Sequence, residues 1–131
     1  MGYFSPGVLL LAAVLDTHAA VWYLLKSPSL SSNALHAIER AQQSGEPVFV
    51  PSICLVEIIY LVEKGRLPMV ALDRLMVAFD TQSTAFRVAP LDVHTAMFMK
   101  QIPRDAVPDM PDRIIAATAL RPGLPLVSRD H

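Results

Sequence analysis

Four acidic residues stand where this chain could do chemistry: Asp16, Glu57, Asp112 and Asp130. Asp16 directly follows the apolar run Val8 to Leu15. Glu57 is the only charged side chain in ICLVEIIYLV, Ile53 to Val62. Asp112 follows the proline-bearing stretch Pro103 to Pro111, and Asp130 follows LPLVS, Leu124 to Ser128, with Arg129 between. A segment apolar on every side is expected to be buried. A buried, unpaired carboxylate costs on the order of several kcal/mol, so Glu57 calls for a cation or a metal as partner. Carboxylates gathered in a low dielectric repel one another. Hard divalent cations such as Mg²⁺ or Mn²⁺ take oxygen ligands and relieve that repulsion.

Each acid also has a plainer reading. Asp16 in Asp16-Thr17-His18 fits a helix N-cap after a strand. Asp109 fits a cap with Pro111 in the first turn behind it. Asp112 would sit near the positive end of a helix dipole. Asp130 fits a turn after a strand. For Glu57 the alternative is a salt bridge to Arg113 or Arg129. The histidines offer no better site: His18 and His94 are far apart, His36 falls on a polar helix face, and no HxxxH or CxxC pattern supports zinc. A glycine-rich phosphate loop and a GxSxG elbow are both missing.

These acids need elements to bring them together. Strand-like runs alternate with helix-like segments, which predicts a parallel α/β sheet. Strands are expected at Val8 to Leu15, Val48 to Val50, Phe86 to Leu91 and Leu124 to Ser128. Helices are expected at Ala19 to Leu25, Ser32 to Gln43, Ser52 to about Lys64, Met69 to Phe79, Val93 to Ile102 and Asp112 to Leu120. The 11 prolines fall at the breaks between them, with none inside a predicted helix. Sites in such sheets form at the carboxyl ends of the strands, where all four acids would gather.

At 131 residues, 53% apolar and 18% charged, the chain reads as a single domain over 1–131 with a real core. A net charge of −1 gives no basic field for nucleic acid, so a polyanion would need a local patch or a bound metal. Cys54 is the only cysteine, which rules out an intrachain disulfide and suits a reduced, cytoplasmic compartment. Its place in the apolar run predicts a buried thiol. Gly7 to Leu15 is shorter than the ~20 residues a bilayer span needs, and no basic residue precedes it, so no membrane segment or signal peptide is expected.

The four fragments around these acids resemble the PIN-domain family, and within it the VapC-type toxins of bacterial toxin–antitoxin pairs. VLDTHAAVWYL (Val14 to Leu24) is similar to the opening strand and first aspartate. VPSICLVEIIYLVEKGRL (Val50 to Leu67) is similar to the glutamate helix, VPDMPDRIIAATAL (Val107 to Leu120) to the third acidic motif, and LPLVSRD (Leu124 to Asp130) to the fourth.

The resemblance implies a three-layer sandwich, with a central parallel sheet of four to five strands flanked by helices. It implies a metal-dependent endoribonuclease that hydrolyses RNA by metal-activated water. Asp16, Glu57, Asp112 and Asp130 would hold one or two Mg²⁺ or Mn²⁺ ions, with Asp109 a nearby carboxylate and Ser128 bonding a ligand carboxylate. Arg66, Arg113 and Arg129 are candidate substrate contacts or helix-end residues. A cognate antitoxin and a homodimer are the implied partners, with faces around Ile58 to Val62 and Met69 to Met76 as candidate contact surfaces. Fifteen residues precede Asp16 where the family has only a few, so 1–6 reads as an extended or non-native start. The family's further short strand would follow the last aspartate, beyond His131. The rival reading is a catalytically inactive PIN-like or receiver-like module. A receiver domain needs an acidic pair after its first strand and a lysine after its last, and here Asp16 stands alone and Arg129 takes the lysine's place.

Overall fold

The computed structural model describes residues 10–82 and 84–129. Asp130, and the expected start of the first strand at Val8 and Leu9, lie outside the described residues, as do 1–6. Four strands form one parallel sheet: β1 (Ala13–Leu15), β2 (Val48–Pro51), β3 (Phe86–Ala89) and β4 (Leu126–Val127). Their order is β3-β2-β1-β4, with Val14 opposite Phe49 on one side and Leu126 on the other. The helices α1 (Thr17–Leu24) and α2 (Ser32–Ser44) join β1 to β2. Helices α3 (Ser52–Glu63) and α4 (Met69–Asp80) join β2 to β3, and α5 (Val93–Phe98) and α6 (Met110–Leu120) join β3 to β4.

Parallel crossovers are right-handed, so their direction along the sheet decides the face each helix covers. The first two crossovers step one way, from β1 to β2 to β3. The third steps back past β2 and β1 to β4, and carries α5 and α6 to the other face. The result is the expected three-layer arrangement. Between β1 and β4 the connections leave in opposite directions, which opens a crevice at the strands' carboxyl ends.

The core is built from β1 and β2 (Val14, Leu15, Val48, Val50), Phe86 of β3, and Ile38, Cys54, Ile58 and Leu75 of the helices, all at most 1% exposed. Gly45 ends α2 in the left-handed region at φ 74°, where a side chain would be strained.

Several boundaries differ from the sequence expectation. Strand β1 starts at Ala13, because the apolar run outlasts the short neighbours that could pair with it; Leu10 is 83% exposed. Strands β3 and β4 are likewise shorter than expected. Helix α1 begins two residues early, capped by Asp16. The helix expected to Ile102 ends at Phe98 and tightens into a 3₁₀ turn, Met99–Gln101. Asp112 does not open α6: Asp109 caps it, Pro111 sits in its first turn, and Asp112 is the third helical residue.

Helix α3 is not buried on all sides either. Only Cys54 and Ile58 are fully buried, while Val56, Ile59 and Tyr60 are 60%, 42% and 56% exposed. A small sheet covers one helix face, so the all-round apolar composition leaves an apolar face in solvent. No helix among the described residues is long and apolar enough to cross a membrane.

Candidate active site

Asp16 leaves β1 at the crevice, and its backbone is fixed there. Its N–H donates to the carbonyl of Val127 in β4 at 3.0 Å. Its carboxylate accepts twice: the Ala19 N–H bonds Oδ1 at 2.8 Å and the Arg129 N–H bonds Oδ2 at 3.2 Å. The first bond caps α1. The second ties the end of β4 to the end of β1. The capping alternative for Asp16 is thus realised, and each carboxylate oxygen keeps a second lone pair for a ligand.

Thr17, the first residue of α1, is only 5% exposed. Its hydroxyl donates to Oε1 of Glu57 at 2.5 Å. Glu57 is half-buried in the second turn of α3, and Thr17 gives it a neutral hydroxyl as hydrogen-bond donor. Cys54, one turn earlier on α3, sits beneath this pair. Burial pushes its thiol up to about 12, the Thr17 contact pulls it back, and Glu57 and Asp16 raise it further.

Asp112 arrives from the opposite layer on the first turn of α6. Partial burial holds its carboxyl above the usual aspartate range, and the nearby Asp109 and Asp16 add to this, while Arg129 and His18 offset part of it. Asp112 is an exposed residue overall, so its desolvation is local to the cleft rim. Carboxylates carried on β1, α3 and α6 therefore line one cleft of about 260 Å³, together with Thr17, His18, Val107, Ile115, Ala116, Leu126, Ser128 and Arg129. A similar cavity of about 270 Å³ lies elsewhere, with Asp92 as its one acid, and that carboxylate caps α5 through the Thr95 N–H.

Three of the four predicted acids thus share one cleft, with Ser128. Asp109 is spent as a cap, accepting the Asp112 N–H at 3.0 Å. Arg113 turns away from the cleft: its guanidinium donates to the carbonyls of Met99 and Ile102 at 2.8 and 3.0 Å, leaving a buried Nε without a partner. Arg66 follows the far end of α3, exposed and outside the cleft lining. Thr17 and His18 were not among the expected site residues. Their position next to Asp16, at a strand-to-helix junction, was the available signal.

The donors are carboxylate and hydroxyl oxygens, the kind a hard divalent cation prefers. Among the described residues no three His, Cys, Asp or Glu side chains gather closely enough to hold an ion. The donor chemistry fits such a cation, and the described side chains do not form a closed chelate.

Comparison with known proteins agrees with this fold. No curated protein gives a match. Six chains of solved structures do, and one is from VapBC2 of Rickettsia felis bound to a DNA fragment from their promoter. The two share 16% identity and a TM-score of 0.65, over 88% of this chain and 85% of that one, which is a likeness of fold. A family model described as the PIN domain matches residues 13–131. That span takes in all four strands and the three carboxylates of the cleft, and the chain belongs to the PIN-domain family.

Proposed function

We propose that this chain is a metal-dependent endoribonuclease, the toxin of a VapC-type toxin–antitoxin pair. The observation that carries the reading is the meeting of Asp16, Glu57 and Asp112, from three separate elements, in one cleft at the crevice between β1 and β4. One or two Mg²⁺ or Mn²⁺ ions would be held by these three, with Asp130 as the fourth ligand. When bound, the cation supplies a water of lowered pKa and positive charge for the scissile phosphate.

The protein's own groups do the rest. Thr17 holds the Glu57 carboxylate in one orientation, ready to accept a proton from the attacking water; Asp130 is the other candidate base. Asp16 accepts from two backbone N–H groups, which limit the rotation of its carboxylate. Arg129 at the rim can meet phosphate oxygens. Arg113 is a scaffold residue, since its Nη2 donates to two carbonyls away from the cleft.

Cleavage of structured RNA with Mg²⁺, and its loss with EDTA, tests the reading. Glu57→Gln and Asp112→Asn are expected to slow cleavage at least about 100-fold, and unchanged rates in both would sink it. The inactive-scaffold alternative is separated by Mg²⁺ titration, since a catalytic site binds the ion. An antitoxin and a second copy of the chain are the proposed partners. Ile58 is core, so the available faces are Val56, Ile59 and Tyr60 on α3 and Met69, Met76 and Val77 on α4, all exposed. A monomer by light scattering at high concentration would remove the homodimer. The proposed compartment is the cytoplasm, in keeping with the lone reduced cysteine.

A further inference from the structure

The cleft has a rim that the acidic residues do not explain. His18 lines the cleft beside Asp16 and is exposed. Trp22 lies four residues on, on the same face of α1. Their rings meet edge-on, with centroids 5.6 Å apart and planes at 63°. The Arg129 guanidinium lies 3.4 Å from Nε2 of His18. Arg129 is itself tied to Asp16 through its backbone N–H. The imidazole thus touches both an indole and a guanidinium, two residues from the acid that anchors the site. A solvent-facing ring with two such contacts is a preorganised flat surface.

Single-stranded RNA is recognised by stacking unpaired bases on aromatic rings and arginine planes. Such stacking is tolerant of sequence because every base has a π face. An acidic cleft next to an aromatic and cationic rim provides two distinct fittings for one nucleotide, the cleft for its phosphate through a cation and the rim for its base.

We propose that His18, braced by Trp22 and Arg129, is the stacking platform for a nucleobase of single-stranded RNA adjoining the phosphate in the cleft. The inference rests on the ribonuclease reading above, and deepens it by placing a base subsite on a named ring. It also makes the site prefer unpaired RNA, because a base held in a duplex cannot lie on the ring.

Trp22 is the only tryptophan in the chain, so its fluorescence reports on the surroundings of one residue, the His18 ring among them. The non-cleaving Asp112→Asn protein is titrated, in Mg²⁺, with a single-stranded oligoribonucleotide followed by both anisotropy and tryptophan emission. Saturable quenching that tracks the anisotropy is expected, and the same sequence as a duplex should give at least about fivefold weaker quenching. In cleavage kinetics of the otherwise unaltered protein, His18→Ala is expected to raise KM about tenfold with kcat within about twofold, a loss in the range of one stacked base. His18→Phe, which keeps the flat ring, should restore most of KM. His18 is exposed, so these variants should fold, and circular dichroism checks that.

RNA that binds by anisotropy without changing Trp22 emission, together with an unchanged KM in His18→Ala, would overturn the platform while leaving the ribonuclease reading intact. That outcome would leave the ring pair to a protein partner. Failure of RNA to bind or be cleaved at all would overturn both.

Discussion

The hydroxyl of Thr17 donates to the Glu57 carboxylate at 2.5 Å, across 40 residues of sequence. Asp16 is the N-cap of α1 and Thr17 its first residue, so one dipeptide step sets one carboxylate by its own backbone position and aims the other by its neighbour's side chain. Thr17→Val keeps the shape and removes the hydrogen bond. It should cost about 2 kcal/mol of stability, the scale for a bond to a charged group. Mn²⁺ affinity by calorimetry should fall about tenfold, as when a ligand loses its supporting partner. Thr17→Ser should recover most of both. Equal Mn²⁺ affinity in Val and Ser variants would refute the role.

Asp112 gives a pH dependence of known sign. Its folded-state carboxyl is raised, first by burial and then by Asp109 and Asp16, so the folded state binds the proton more tightly than the unfolded state. Ionising it therefore works against folding. That penalty is absent below the ordinary aspartate pKa of about 3.9 and fully present once pH exceeds the raised folded value. Asp112→Asn should accordingly melt higher than the parent at pH 7 without metal, by less than about 1 kcal/mol because the residue is exposed. The gap should close as pH falls toward 4, and Mg²⁺ should narrow it at pH 7 by stabilising the parent. A gap that widens on acidification would contradict the assignment.

Asp16 has two duties that substitutions can separate. An asparagine oxygen can still accept the Ala19 N–H, so Asp16→Asn should stay within about 0.5 kcal/mol of the parent in urea unfolding, while Asp16→Ala should lose about 1 kcal/mol with the cap. Both should be inactive on RNA. Equal stabilities for the two variants would mean the cap carries no weight.

Cys54 is fully buried and its thiol is pushed up to about 12. Almost none is thiolate at neutral pH, and the thiolate is the reactive form. Iodoacetamide should label the native protein at least about 100-fold more slowly than the urea-unfolded chain. Fast native labelling at pH 7.5 would show that α3 opens readily.

Arg113, beside Asp112, secures the carbonyls of Met99, which opens the 3₁₀ turn, and Ile102, which follows it. Arg113→Ala should leave the Ile102 carbonyl without this donor and the Met99 carbonyl with the Ile102 N–H alone, and cost about 2 kcal/mol. Amide exchange over residues 103–109 should speed up well before that of β1. Exchange unchanged in that loop would remove the anchoring role.

The alternation of strands and helices was legible because Pro51, Pro68 and Gly45 mark element ends in ways local chemistry dictates. The length of β1 was not legible, since an apolar run does not show how short its partner strands are. Asp16 and Glu57 were visible as lone charges after or within apolar runs and Asp112 as the acid that follows a proline-bearing loop, and the structure brings them to one cleft. The place of Thr17 beside Asp16 was a signal, but the bond to Glu57 was not legible, because sequence does not say which distant side chain a hydroxyl meets. The exposed apolar side of α3 was misread as core for a physical reason: composition alone cannot tell a face covered by the same chain from one left open.

The crevice has a consequence for the order in which a new molecule becomes whole. Asp16 is among the first described residues to leave the ribosome, yet the strand that completes its wall, β4, is made more than a hundred residues later, and the Val127 carbonyl and Arg129 N–H that fix it come from that strand's end. Contacts of such separation form late. A chain still in synthesis therefore carries Asp16, Glu57 and Asp112 without the wall that frames them. Until β4 pairs beside β1, Asp16 lacks both the carbonyl and the N–H that hold it in place, so joining these two distant segments is the step that finishes the cleft.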